Sequence, residues 1–167
     1  MAGINNLIQK IVLPHRALNK TACPGRFFDM VELHNEIKES LVFPDLTALL
    51  LGGSIVAWDK SWRKWKGIVI HHSASRSSWE AIWKHHVLVR GWRAIGYHFG
   101  VEQVKGRWVY RQGRLLSTAG AHVKGHNKDY VGIVMIGNFE KYPPPKPGIK
   151  MLARLCARII IRGVIEI

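Results

Sequence analysis

The sequence predicts an α/β fold in a single domain, and three observations support this. Short runs rich in β-branched residues, Gly67-Ile68-Val69-Ile70 and Val131 to Gly137, read as buried strands. Around them lie stretches with apolar side chains at helical spacing, residues 26–38, 77–90 and 148–162. The length, 167 residues, suits one domain with a proper core, and 47% apolar with 22% charged residues is ordinary for a soluble globule.

Taken in order, Ile4, Leu7, Ile8, Ile11 and Val12 suit one short helix leading to Pro14. After a loop, Arg26 to Lys38 reads as a helix with Phe27, Met30, Val31, His34 and Ile37 on its buried stripe, His34 serving packing. Residues 40–57 form a connector punctuated by Pro44, Gly52 and Gly53. Its Leu46 and Leu49-Leu50-Leu51 are too apolar for a free linker, so part of it should pack on the domain or on a second copy. Trp58, Trp62 and Trp65 then alternate with Lys60, Arg63, Lys64 and Lys66. That pattern suits bases, sugar rings or anionic polymers, and equally a tryptophan cluster covering a sheet edge.

Ser77 and Glu80 fit a capping box for a packing helix with Trp79, Ile82, Trp83, His86 and Arg90 on one face, stopped by Gly91. His85 and His86 belong at the surface or core edge. Two strands, Tyr97 to Val104 and Arg107 to Arg111, are joined by the tight turn Lys105-Gly106. The loop 112–130 is long and polar, the kind that carries function. Val131 to Gly137 is apolar enough for a central strand. Tyr142 to Pro147 is a stiff spacer before a helix over 148–162 that buries Ile149, Leu152, Ala153, Cys156, Ile159 and Ile160, with Gly163 as its stop.

The chemistry centres on the strand that ends in His71-His72-Ser73-Ala74 and delivers an imidazole to the end of a sheet. Near the N-terminus, His15 and Cys23 stand a short loop apart. Neutral imidazole and thiolate are ligands suited to Zn²⁺, and three protein ligands with one open position are the pattern of a catalytic zinc. If Cys23 holds metal, Cys156 is left single, and no disulfide framework is implied.

Four blocks together, His71-His72-Ser73-Ala74, Gly91 to Phe99, Gly120 to Asn127 and Val131 to Phe139, resemble the zinc-dependent N-acetylmuramoyl-L-alanine amidases, a family that includes phage endolysins and peptidoglycan recognition proteins. The His15 to Cys23 stretch looks like the family's final metal motif, yet here it opens the chain, so the sequence looks circularly permuted. The resemblance implies a mixed central β-sheet flanked by helices. It implies a permuted segment over 1–39, a connector over 40–66 and the sheet core over 67–167. It implies zinc held by His71, His15 and Cys23, with His72 turned away by strand alternation. Such a metal would bring a water near its pKa at neutral pH for attack on an amide.

By the same resemblance Tyr97 donates to the developing oxyanion, and Thr21, two before the ligand cysteine, orients or polarises the carbonyl. His122 and Asn127 match positions that meet the muramyl peptide; tying down their own loop is the alternative use of both. Family members often carry an acid after His-Arg, where this chain has Ala17, so a carboxylate behind a ligand is missing. Some relatives place a glutamate in the central strand as base; here that strand reads Gly132-Ile133-Val134-Met135, leaving the zinc hydroxide system or an unidentified group as base. The implied activity is hydrolysis of the bond between N-acetylmuramic acid and L-alanine in peptidoglycan, as in an endolysin. The loop closes on its own chain in a monomer, a swapped dimer being the alternative.

Composition adds the remaining expectations. Lys and Arg number 25 against 11 Asp and Glu, a formal charge of +14, which favours a polyanion, either nucleic acid or the anionic polymers of a cell wall, and charge alone does not choose between them. No apolar run approaches the ~20 residues of a membrane span. The opening Met1 to Asn6 lacks the features of a signal peptide, so synthesis in the cytoplasm is expected, while action on the bacterial wall is what the resemblance implies. Two other function classes fit less of the sequence: a peptidoglycan-binding module without turnover, and a basic nucleic-acid binder with a structural zinc, for which no fourth ligand at structural spacing is evident.

Overall fold

The computed structural model describes residues 2–42 and 63–165. Most of the connector, with Trp58 and Trp62, lies outside the described residues. The chain runs α1 (Ala2–Ile11), β1 (Val12–Pro14), a 3₁₀ turn (His15–Ala17) and α2 (Met30–Val42). It continues through β2 (Gly67–His72), α3 (Trp79–Lys84) with a π turn (His85–Val89), β3 (Phe99–Val104), β4 (Arg107–Gln112), β5 (Tyr130–Met135) and α4 (Lys146–Ile161).

The strands form one mixed sheet in the order β1-β2-β5-β3-β4. β1, β2, β5 and β3 run parallel; β3 and β4 are the antiparallel hairpin expected at Lys105-Gly106. Both turn residues have positive φ, 48° and 79°, as a two-residue hairpin of this hand requires. β5 is central, as its apolar run predicts, and β1 is an edge strand that can end in Pro14 because an edge tolerates a missing N–H donor.

Strand alternation gives the sheet two different faces. Ile68 and Ile70 of β2, Val131, Ile133 and Met135 of β5 and Phe99 and Val101 of β3 pack in one core with Leu33 and Ile37 of α2 and Ile149, Leu152, Cys156 and Ile159 of α4. Burial of each such side chain contributes about 1.5–3 kcal/mol, which is what fixes the register. The opposite face carries His71, Gly132 and Gly100, and Trp79 of α3 lies against the bare backbone of Gly100.

The helices depart from expectation where local pattern was ambiguous. α2 starts at Met30, because Asp29 Oδ1 accepts from the Val31 and Glu32 N–H groups at 2.8 and 3.1 Å. That start turns Phe27 and Val31 outward; Ile37 is buried and Met30 packs against the core as expected, and Leu33 joins them on the stripe. His34 donates to the Val12 carbonyl at 2.9 Å, a structural tie between α2 and β1. The cap of α3 is Ser78, not Ser77: its Oγ accepts from Ala81 N–H at 3.2 Å, while Ser77 meets Ser75 and Glu80 pairs with Lys84. α3 has no fully buried residue and its Trp83 is exposed, so it is a surface helix anchored by Trp79 rather than a packed one. In the tryptophan–cation stretch, Trp65 is buried, donates to the Leu116 carbonyl at 3.1 Å and stands edge-on to His98, so it belongs to the core. No helix among the described residues is long and apolar enough to cross a membrane.

Candidate metal centre

Backbone register explains how distant stretches meet. β1 pairs in parallel with β2, Pro14 lying opposite Ile70. The next residue on each strand is His15 and His71, so two imidazoles 56 positions apart in number come together, their ring centroids 4.6 Å apart. From His15 the chain makes a tight loop that returns Cys23 to the same place. Arg16 N–H donates to the Cys23 carbonyl at 3.0 Å, and the Arg16 guanidinium to the Gly25 carbonyl at 3.2 Å. The loop is pinned from outside by Glu140, whose carboxylate accepts from Arg26 N–H at 2.9 Å, and by the Phe139 carbonyl, which accepts from Phe27 N–H at 2.9 Å.

His15, Cys23 and His71 each present a ligand atom, all within 4.8 Å of one another. His71 is buried, and the other two are half-buried, leaving the cluster open on their side. Cys23 Sγ lies 3.7 Å from His71 Nδ1. A tetrahedral zinc at ordinary bond lengths would hold sulfur and nitrogen about 3.6 Å apart, so the spacing and the donor set both fit that ion.

The electrostatics fit as well. Burial lowers the pKa of His15, and burial followed by the neighbouring His122, His15 and His72 holds His71 well below the ordinary imidazole range. Both are therefore neutral at pH 7, the form that ligates a metal. Burial pushes the Cys23 thiol up to about 11, against the smaller opposing effect of a hydrogen bond from His72 N–H to its sulfur at 3.3 Å. A cation bound at the cluster would favour the thiolate against this effect of burial.

His72 faces the other way, as alternation predicts, its Nδ1 accepting from Phe139 N–H at 3.1 Å. The Tyr97 ring stands 5.3 Å from that of His71, and burial, then the charge of Cys23, raises its pKa to about 12, so the phenol keeps its proton. The Thr21 hydroxyl accepts from Cys23 N–H at 3.3 Å. His122 has both ring nitrogens engaged, Nδ1 with His71 Nε2 at 3.0 Å and Nε2 with the Tyr130 carbonyl at 3.1 Å. Asn127 Oδ1 accepts from His122 N–H at 2.6 Å and Val123 N–H at 2.9 Å, which is the geometry of a loop tie.

Sequence reasoning did not find His98, which is fully buried beneath this cluster, accepting from Gly132 N–H at 2.9 Å and donating to the Thr118 carbonyl at 3.0 Å. Nor did it find the contact between His122 and His71. The available signal was Gly132, a glycine in the middle of an apolar central strand, which marks a close approach. A Cβ at Gly132 or Gly120 would overlap the His122 ring.

Known proteins resemble this chain in sequence and in fold. The sequence profile of the N-acetylmuramoyl-L-alanine amidase family matches residues 61–167. Peptidoglycan-recognition protein LB of Drosophila melanogaster is 37% identical over 81 residues, 48% of this chain and 34% of that protein. Peptidoglycan-recognition protein LE of the same species is 34% identical over 108 residues, 59% of this chain and 29% of that protein. The chain thus spans about a third of the length of these curated relatives. Among solved structures, wild-type Drosophila PGRP-LB superposes with a TM-score of 0.54 at 28% identity over 68% of this chain and 72% of that one. Peptidoglycan recognition protein-LE in complex with tracheal cytotoxin, a monomeric diaminopimelic acid-type peptidoglycan, gives 0.56 at 29% identity over 72% and 75%. With more than half of its length under the family profile and a sheet shared with these structures, the chain belongs to the N-acetylmuramoyl-L-alanine amidase family.

Proposed function

We propose that this protein is a zinc-dependent amidase that hydrolyses the bond between N-acetylmuramic acid and L-alanine in bacterial peptidoglycan, a wall-lytic role of the endolysin kind. The observation that carries the proposal is the convergence of His15, Cys23 and His71, two neutral imidazoles and a thiol, on one open-sided cluster. Zinc bound by these three side chains supplies Lewis-acid chemistry and lowers the pKa of water toward neutrality. The protein's own groups do the rest. Tyr97 keeps its phenolic proton and donates it as a hydrogen bond where charge develops on the carbonyl oxygen. Thr21, whose oxygen already accepts from Cys23 N–H, has its hydroxyl proton free to orient the same carbonyl. His72 N–H supports the sulfur from behind.

The proposal includes a circular permutation. Residues 1–39 supply the metal loop and a helix ahead of the sheet core at 67–167, joined by a connector over 40–66. In support, the family profile begins at residue 61, after His15 and Cys23, and β1 sets its own residues in register with β2. A second reading, binding of muramyl peptides without turnover, is favoured by the ligand held in the LE structure.

Zinc content and digestion of a purified muropeptide separate these readings. Wild type is expected to carry about one zinc per chain and to release the peptide; Cys23→Ser is expected to lose both. Tyr97→Phe is expected to keep its zinc and lose roughly 10²–10³-fold in turnover, the usual effect of deleting one oxyanion donor. Digestion that persists without bound metal would sink the catalytic assignment. A zinc-loaded wild type that binds muropeptide and releases nothing would leave the binding reading in its place.

A further inference from the structure

We propose that His122 is a positioning residue that sets the tautomer of His71, so that the Nδ1 lone pair of His71 is the one offered to the metal. The inference rests on the reading of His15, Cys23 and His71 as a metal centre and extends it to a residue that touches none of the bonding positions. The Tyr130 carbonyl can only accept, so the nitrogen 3.1 Å from it, His122 Nε2, carries the proton. A neutral imidazole has one N–H, so His122 Nδ1 is an acceptor. It lies 3.0 Å from His71 Nε2, which must then be the protonated nitrogen of His71. The remaining nitrogen, Nδ1, faces Cys23 Sγ at 3.7 Å with its lone pair free.

With the other tautomer of His71, two lone pairs would confront each other at 3.0 Å in a buried site, leaving both nitrogens unsatisfied. Metal-ligating histidines commonly hand their second N–H to a carboxylate or a backbone carbonyl. Here a neutral imidazole does that, and a backbone carbonyl fixes the imidazole in turn. The His122 ring is held in a built slot. Gly120 and Gly132 leave room that a Cβ at either would remove, and Asn127 Oδ1 grips the His122 backbone N–H at 2.6 Å. His122 and Asn127, which the resemblance matched to muramyl-peptide contacts with a loop tie as the alternative, thereby serve to aim a ligand from residues 120–127.

The direct test is nuclear magnetic resonance of the protein as purified, with ¹⁵N-labelled histidine. A scalar coupling across the hydrogen bond between His71 Nε2 and His122 Nδ1 is expected, with protons on Nε2 of both rings. A proton on Nδ1 of either ring, or no coupling between them, would overturn the proposal, and this needs no variant. The second readout is zinc affinity by chelator competition. His122→Phe keeps the bulk and removes the acceptor, and is expected to weaken zinc by roughly 10–100-fold. His122→Asn retains an oxygen that can accept from His71 and is expected to recover most of that loss. Equal affinities in wild type and His122→Phe would count against the proposal. A wild type that holds no zinc yet shows the coupling would overturn the metal reading while leaving the tautomer relay standing.

Discussion

Burial keeps the imidazoles of this site neutral, and the consequence is cleanest at His98, which bonds to no proposed ligand. Its pKa is lowered to about 4, chiefly by burial, with the charge of Arg114 helping and the Thr118 carbonyl opposing. An unfolded chain carries this histidine near 6.5, so as pH falls the unfolded state takes up the proton first. His98 therefore contributes stability that is complete above about pH 6.5 and is lost as pH falls from there toward 4. The size is on the order of 3 kcal/mol, since each tenfold change in proton affinity is worth about 1.4 kcal/mol. Urea unfolding at pH 7 and pH 4.5 checks it. His98→Asn is expected to be less stable at pH 7 and to lose less on acidification than wild type; equal losses in both would refute the role. The histidines of this chain thus divide by what their nitrogens meet. His71 and His15 face a sulfur, while His98, His72 and His34 meet backbone groups. Part of that division was legible beforehand, with His15 and His71 as candidate ligands and His34 in packing; the backbone partners of His98 were not. Only strand parity separated His71 from His72.

Among the elements, α3 shows what local pattern can and cannot fix. Its helical periodicity and a serine cap were legible, but Ser77 and Ser78 are equally able to cap, and only the path of the preceding loop chose Ser78. The first turn has a second anchor that no local window contains: Glu102, buried on β3, accepts from Trp79 N–H at 3.0 Å while paired with Arg111. Ser78→Ala is expected to cost about 1 kcal/mol by urea unfolding. An unchanged midpoint would mean that Glu102 alone secures the helix start. The interior strands were read more reliably than the helix ends, whereas the short edge strand Val12–Pro14 was missed because Val12 continues the apolar spacing of α1. A run such as Val131 to Met135 has few alternatives to a buried strand, whereas a helix boundary depends on one side-chain oxygen. Gly132 is where the two scales meet, a residue that weakens β5 as a strand and is there because the His122 ring lies over it.

For the molecule as a whole, the formal charge of +14 and the closure of the metal loop carry separate expectations. A charge of this size should retain the protein on an anionic wall polymer at low salt and release it as salt rises, because the screening length falls from about 10 Å at 0.1 M to about 3 Å at 1 M. Retention unaffected by salt over that range would assign binding to uncharged contacts. The β1–β2 pairing can be made within one chain, and with the loop closed in a monomer the zinc content is expected not to fall as the protein is diluted. Dilution-dependent loss of metal would indicate a loop contributed by a second copy.

Composition and period, taken alone, determined the class of fold, the central strand and the hairpin, while the choice of His15, Cys23 and His71 came from motifs that resemble the amidase family. Those properties are local, set by burial of apolar side chains and by donor chemistry. Tertiary structure decided which nitrogen of which histidine faces the sulfur and what Asn127 and His122 hold. Those depend on pairing across tens of residues, where parallel register and a single bare glycine place the rings, and no window of sequence contains both partners.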